Sequence, residues 1–170
     1  MKLLKDRNAN VRREAAKALG RLGFECISDL NAVLNDDEDK DVRRAAAESL
    51  RCMGLDGISA LTNFLNDEDR IVRRAVAAAL GTTRFDGTKA VPALIELLRD
   101  DDSDVQRAAA WALGSRGPDA IAAVPALRKL FSEKGVAFSA YRAISRIQQA
   151  MSSTTETTDS HQGRRTKVLT

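Results

Sequence analysis

Arginine supplies most of the usable chemistry in this sequence. Arg13, Arg44, Arg74 and Arg107 recur at separations of 31, 30 and 33 residues. A planar guanidinium binds oxyanions through two parallel N–H donors, so such a set on one surface would grip an acidic peptide or a phosphate backbone. Trp111, the only tryptophan, follows Arg107 by one helical turn and has the large flat side chain that often anchors interfaces. Lys17 and Arg142 add cations nearby in the same register. Other chemistry is scarce. The one histidine, His161, stands in a polar stretch, and Cys26 and Cys52 lack the CxxC spacing of a zinc site or the pattern of a disulfide framework. No GxSxG, phosphate-binding loop or GxGxxG occurs. Aromatic residues make up only 4% of the chain, too few to line a cofactor pocket. No catalytic residue, cofactor or metal is expected.

The elements that must hold these side chains in line come from a repeat. VRREAAKALG begins at Val11, VRRAAAESLR at Val42, VRRAVAAALG at Val72 and VQRAAAWALG at Val105, with a weaker copy, VAFSAYRAIS, at Val136. A period this long without strand alternation indicates stacked helix-turn-helix units. Counted from each valine, position +4 holds Ala15, Ala46, Val76, Ala109 and Ala140, and position +8 holds Leu19, Leu50, Leu80, Leu113 and Ile144. At about 100° per residue, positions 0, +4, +8 and +11 share one helical face. A preceding helix shows as Ile27-Leu30-Leu34, Ile58-Leu61-Leu65, Val91-Leu94-Leu98 and Val124-Leu127-Phe131. Pro92 and Pro125 belong near the starts of their helices or kink the first turns. Each repeat therefore reads as helix A, an acidic turn, helix B and a glycine-containing turn at Gly54, Gly87 or Gly117.

The acidic turns have a local role. Asn8, Asp39, Asp69 and Asp102 lie three residues before the anchors, where a side-chain oxygen caps an orphan N–H for about 1 kcal/mol. Asp41 and Asp104 add charge that the helix dipole favours.

The pattern D-x-x-x-x-V-R-x-x-A-A-x-A-L-G, with V-P-A-L-x-x-L-L in helix A, resembles HEAT repeats, above all the short subtype named after phycocyanobilin lyase subunits. The resemblance spans about residues 1–150. It implies an all-α, right-handed α-solenoid of about four and a half HEAT-like repeats over residues 1–151, the first one incomplete. It also implies a hydrogen-bonded ladder between adjacent repeats, using Asp6 with Arg12, Asp37 with Arg43, and Asp67 with Arg73. Gln106, Phe131 and Ala137 depart from that ladder, which should weaken toward the C-terminus. HEAT-like di-iron hydroxylases carry His-Glu pairs, and this sequence has none. A phycobilin lyase subunit, or a related chromophore-attachment or detachment factor, is the alternative that the resemblance carries.

Charge and length set further bounds. The 27 Lys+Arg and 24 Asp+Glu nearly cancel, leaving +3. No uncharged apolar run of about 18 residues exists to span a membrane, and MKLLKDRN is too short an opening for a secretory signal. A cytoplasmic protein is expected. Leu3 and Leu4 align with Val33 and Leu34 at the end of a helix A, so the chain reads as starting within a repeat, as would a fragment, a truncated product or a chain that docks its N-terminal end on something. Residues 152–170 are polar and aperiodic and are expected to be disordered.

Positions +2, +6 and +9 of helix B should point away from the core. They hold Arg13, Arg44, Arg74, Arg107 and Phe138; Lys17, Glu48, Ala78, Trp111 and Arg142; and Gly20, Arg51, Gly81, Gly114 and Ser145. Two readings of the arginines stand open: a basic stripe for a partner, or ion pairs with Asp39, Asp41, Asp69 and Asp104. Trp111 is likewise either an exposed anchor or packed near Tyr141. The leading expectation is a non-enzymatic scaffold that binds an acidic protein, or another part of its own parent chain, along the concave B-helix surface through Arg13, Lys17, Arg44, Arg74, Arg107, Trp111 and Arg142. Binding of a nucleic-acid backbone is the weaker alternative, since Asp36–Asp39 and Asp100–Asp102 would repel phosphates.

Overall fold

Alanine, leucine and arginine, all strong helix formers, fill the segments after each anchor valine, and those segments are helical. The computed structural model describes residues 2–82 and 87–162. A 3-10 turn at Lys2–Lys5 leads into α1 (Ala9–Leu22), followed by α2 (Ile27–Asp36), α3 (Lys40–Leu50), α4 (Gly54–Thr62) and α5 (Arg70–Thr82). Then come α6 (Gly87–Leu97), α7 (Ser103–Ser115), α8 (Val124–Lys129) and α9 (Ala137–Gln162). Odd-numbered helices are the B helices and even-numbered ones the A helices, arranged as two layers of an all-α solenoid. Successive B helices pack far more extensively on one another than successive A helices do, as expected for the inner layer of a curved stack.

The B helices start where the caps require. The Asn8 side chain accepts the N–H of Asn10, Asp39 those of Asp41 and Val42, Asp69 that of Ile71, and Asp102 those of Asp104 and Val105. Gly54 and Gly117 take φ of 64° and 57° at the turns from helix B back to helix A, a region where a Cβ is strained.

The core is continuous. Leu30, Leu34, Leu50, Leu61, Leu80, Leu94, Leu113 and Leu127 are buried, along with Val42, Val72, Val105 and Val136. Two expectations change in the fourth A segment. It is broken into a 3-10 stretch at Gly117–Ala123, α8 with Pro125 in its first turn, and a 3-10 turn at Leu130–Ser132. The tighter three-residue winding shifts the register by one, so Leu130 is buried and Phe131 is exposed.

Position +9 also departs from expectation. Gly81 and Gly114 are buried and Gly20 is partly buried. A Cβ on these glycines would lie 2.7 Å from Ser49 Cβ at Gly20, 2.5 Å from Ala112 Cβ at Gly81 and 2.9 Å from Ala143 Cα at Gly114. The missing side chains let B helices approach at the +9/+7 crossing. Arg51 stands in place of glycine in the second repeat, and there α3 ends at Leu50 and leaves Arg51 exposed. The α3–α5 junction is the least extensive of the B–B contacts.

The C-terminal boundary moves as well. Helix α9 continues past Met151 to Gln162, so residues 152–162 are helical where disorder was expected. No glycine or proline interrupts that stretch, and Ser152 and Ser153 direct their hydroxyls to the carbonyls of Gln148 and Gln149 instead of breaking the helix. Residues 163–170 lie outside the described residues, as does the Arg-Arg-Thr-Lys cluster. Among the described residues, no helix is long and apolar enough to cross a membrane.

Candidate partner-binding surface

The arginines divide into two columns with different fates. The first column follows the anchor valine directly and is structural. Arg12 donates from Nε and Nη2 to both carboxylate oxygens of Asp37 at 2.7 and 2.9 Å, and from Nη1 to the Asp6 carbonyl at 2.8 Å. Arg43 does the same with Asp67 at 3.0 and 3.1 Å and the Asp37 carbonyl at 2.9 Å. Arg73 repeats it with Asp100 at 2.7 and 2.9 Å and the Asp67 carbonyl at 2.8 Å. The ladder thus exists with a corrected pairing: each arginine takes the backbone oxygen of its own repeat's aspartate and the carboxylate of the next repeat's. A six-residue reach back along one chain brings Nη1 to a carbonyl, while the fork projects across the junction.

The aspartates are held in place too. Asp6, Asp37, Asp67 and Asp100 each accept the N–H two residues on, at 2.8, 3.0, 2.8 and 2.9 Å, in aspartate turns. Hydrogen bonding to Asp37 raises the pKa of Arg12, against the opposing effect of burial. The bond that Arg73 donates to Asp100 likewise raises the pKa of Arg73. Burial alone would push Asp100 up, yet Arg73, the Asp102 N–H and the Asp101 side chain hold it below the ordinary carboxylate value. Beyond Arg73 the ladder gives way. Gln106 donates to the Leu98 carbonyl at 3.4 Å and to Glu133 at 3.3 Å, a neutral amide in place of a guanidinium fork.

The second column, at +2, lies on the B-helix surface. Ion pairing neutralises part of it. Glu14 faces both Arg13 at 3.5 Å and Lys17 at 2.9 Å, and Lys17 first, through its hydrogen bond, lowers the pKa of Glu14. Arg44 pairs with Asp41 at 3.3 Å. Arg107 pairs with Asp104 and reaches the Gly135 carbonyl at 3.4 Å. Asp41 and Asp104 lie in the first turn of the same helix, three residues before their arginines, whereas Glu14 directly follows Arg13; Asp39 and Asp69 are not the partners of this column. Asp69 instead faces Lys40 at 3.8 Å. Arg74 is exposed, and no described carboxylate lies within ion-pair distance of it.

Trp111 is 48% exposed and Tyr141 is more so, so the tryptophan is not packed under the next repeat. Its ring edge stands near Gly81, where a Cβ would lie 3.5 Å from Cζ3. Trp111 walls two hollows. One, across α3, α5 and α7, is lined by Arg44, Glu48, Ile71, Arg74 and Ala78 among others. The other, between α7 and α9, is lined by Gly114, Ser139, Arg142, Ala143 and Arg146. Arg142 also stacks 5.8 Å over the Phe138 ring, a cation–π contact.

Ser139 and Arg146 were not anticipated. Position +10, where Arg146 falls, holds Arg21, Cys52, Thr82 and Ser115 in the other copies, so no column marks it. Arg70, which bridges Asp102 at 3.3 Å and Asp104 at 3.4 Å, and Arg116, which donates to the Leu80 carbonyl near the end of α5, were missed likewise. Burial lowers the pKa of Arg116, partly opposed by Asp119. Of the cysteines, Cys26 is buried in the core and Cys52 is exposed.

Comparison with known proteins agrees with this architecture. The CpcE–CpcF complex of phycocyanin lyase from Nostoc sp. PCC7120 is similar at 26% identity and a TM-score of 0.66, over 87% of this chain and 63% of that one. An engineered protein is also 26% identical, with a TM-score of 0.59, over 88% of this chain and 78% of that one. A designed armadillo repeat protein in complex with the peptide (KR)4 shares the fold at 22% identity and a TM-score of 0.56, over 86% and 79% of the two chains. No curated protein sequence matches the chain. The HEAT-repeat family matches over residues 1–57 and 58–148, and with the ladder, the capped B helices and the two-layer stack, the chain belongs to the HEAT-repeat family.

Proposed function

We propose that this chain is a non-enzymatic scaffold that binds an acidic segment of another protein across its B-helix layer. A repeat solenoid is compatible with a protein-binding scaffold, and the finer assignment rests on one observation. Trp111 stands exposed between two hollows whose walls carry Arg44 and Arg74 on one side and Arg142 and Arg146 on the other. An exposed aromatic flanked by arginines joins the two residue types most enriched among interface hot spots, and the positive field steers an acidic partner. Arg13, Lys17 and Arg107 extend the basic surface, although their charge is already partly met by Glu14 and Asp104, as that of Arg44 is by Asp41.

The test is capture of partners from the source cell by the whole chain and by an Arg44→Glu/Arg74→Glu variant and a Trp111→Ala variant. Loss of the same protein from both variants is expected. Retention of every captured partner by both variants overturns the reading. Retention of nucleic acid in place of protein, with a steep salt dependence, overturns it as well.

A second reading comes from the 26% identity to the phycocyanin lyase complex: a subunit of a factor that attaches or detaches a bilin. Fold alone does not carry that activity. Co-expression with a bilin and a phycobiliprotein tests it, and the appearance of bilin absorbance on the phycobiliprotein would displace the scaffold reading.

A further inference from the structure

The hollow between α7 and α9 differs from its neighbour across Trp111 in having no acidic wall. It is walled by Ser139, Arg142 and Arg146 on one side and by Trp111 on the other, and no acidic residue lines it. Arg142 and Arg146 are one helical turn apart, both exposed, and no described carboxylate lies within ion-pair distance of either. The Ser139 hydroxyl has no hydrogen-bond partner among the described residues. The floor is the close crossing of Gly114 with Ala143, where even a Cβ would lie 2.9 Å from the facing Cα. Two uncompensated guanidinium groups and a free hydroxyl around a small-residue floor form a receptor for one oxyanion. On the far side of Trp111, the hollow lined by Arg44, Glu48 and Arg74 offers Arg74 with no described carboxylate in ion-pair distance, while Arg44 also pairs with Asp41. At +2, the neighbouring Arg107 is turned toward Asp104 and Gly135, which leaves Trp111 the central contact.

We propose that the hollow formed by Ser139, Arg142 and Arg146 beside Trp111 seats an acidic side chain of an extended peptide, whose second acidic side chain, on the other side of an apolar residue resting on Trp111, meets Arg44 and Arg74. This rests on the reading that the B layer takes an acidic segment. Helix spacing sets the register. Neighbouring helices pack about 8–10 Å apart and an extended chain advances about 3.3 Å per residue, so one repeat spans about three peptide residues. The recognised pattern is acidic-x-x-apolar-x-x-acidic, crossing α5, α7 and α9, with Arg44 of α3 lining the same hollow as Arg74. Its symmetry serves either chain direction. The acidic group is a carboxylate or a phosphoryl, both of which an arginine pair binds.

Trp111 is the sole tryptophan, so its emission reports directly on occupancy by a peptide that lacks aromatics. The probe is a short Gly/Ser peptide with glutamate, leucine and glutamate at three-residue intervals, alongside one with phosphoserine in place of each glutamate. A control places both glutamates next to the leucine. Saturable change in Trp111 emission with the spaced peptides is expected, with the control at least about tenfold weaker. The phosphoserine arm binding more tightly identifies a phosphoryl ligand, and the glutamate arm binding equally well identifies a carboxylate. Arg142→Ala/Arg146→Ala weakens binding about tenfold, the loss of a charge-assisted contact, with an unchanged melting temperature because both side chains are exposed. Arg142→Lys/Arg146→Lys recovers part of the loss.

Unchanged binding by the Arg142→Ala/Arg146→Ala protein overturns the inference. If Arg44→Ala/Arg74→Ala still weakens binding in that case, the acidic-segment reading of the B layer stands without it. Equal binding of the spaced and control peptides, or no change in Trp111 emission with any peptide, also overturns the inference. The broader reading is then judged by partner capture with the Arg44→Glu/Arg74→Glu protein.

Discussion

Arg43 holds Asp67 across a repeat boundary through two parallel hydrogen bonds of 3.0 and 3.1 Å, with both side chains more than nine-tenths buried. The pair lies in the middle of a three-rung series, and the same guanidinium ties back to the Asp37 carbonyl. Removing the carboxylate alone leaves a buried charge without its counterion, which costs far more than the pair contributes net. Asp67→Ala should therefore lower unfolding free energy by about 3 kcal/mol. Gln106→Ala, at the neutral rung, should cost about 1 kcal/mol. Urea titrations of both variants check the contrast, and equal losses would show that the ladder is no stronger than its neutral end.

Acid should dissolve the ladder from the carboxylate side. The folded pKa of Asp100 is held below its unfolded value, which is about 3.9. Its stabilisation is therefore complete above that unfolded value and lost as pH falls through the lower folded one. Asp100→Asn should melt below the wild type at neutral pH. The gap should narrow as the pH drops below about 4, which thermal melts across the acid range would show. A gap that stays constant down to the lowest pH would mean that the Asp100 charge contributes nothing.

Gly81→Ala sets two effects against each other. Alanine gains about 1 kcal/mol in helix propensity, but its Cβ would stand 2.5 Å from Ala112 Cβ and 2.8 Å from Ala112 Cα. The α5 and α7 helices must move apart, at about 1–3 kcal/mol. A net loss of stability is expected in denaturant titration. A net gain would mean that the crossing is looser than these distances.

Trp111→Ala and Leu80→Ala separate surface from core. Leu80 is fully buried and its truncation should cost about 2–5 kcal/mol. Trp111, half exposed, should cost under about 1 kcal/mol while abolishing partner binding. Calorimetry and partner capture on the same two proteins distinguish the roles, and a large melting loss for Trp111→Ala would place it in the packing instead.

Much of the fold is readable from spacing. The five anchor valines, the alanines and leucines at +4 and +8, and the aspartate caps each report a local requirement, namely a helical period or an orphan N–H. Such requirements act within a few residues and so leave a mark in the chain. The candidate surface was legible only in part. The +2 column identified Arg44 and Arg74, and the lone tryptophan marked Trp111, yet Arg146 and Ser139 belong to no column.

Residue spacing sets the repeat, the two helices of each unit and their caps, and the family resemblance adds an aspartate–arginine pair at every junction up to Arg73. Contacts between repeats decide which aspartate each arginine holds, why Gly20, Gly81 and Gly114 are enclosed, and which cations on the B layer remain unspent. A helix taken alone has one buried face, whereas a helix inside the stack is covered by its A partner and by a B neighbour on each flank. Those flank contacts join residues about thirty positions apart, beyond the reach of any local period. The same crossing that encloses Gly114 against Ala143 sets Arg142 and Arg146 beside Trp111.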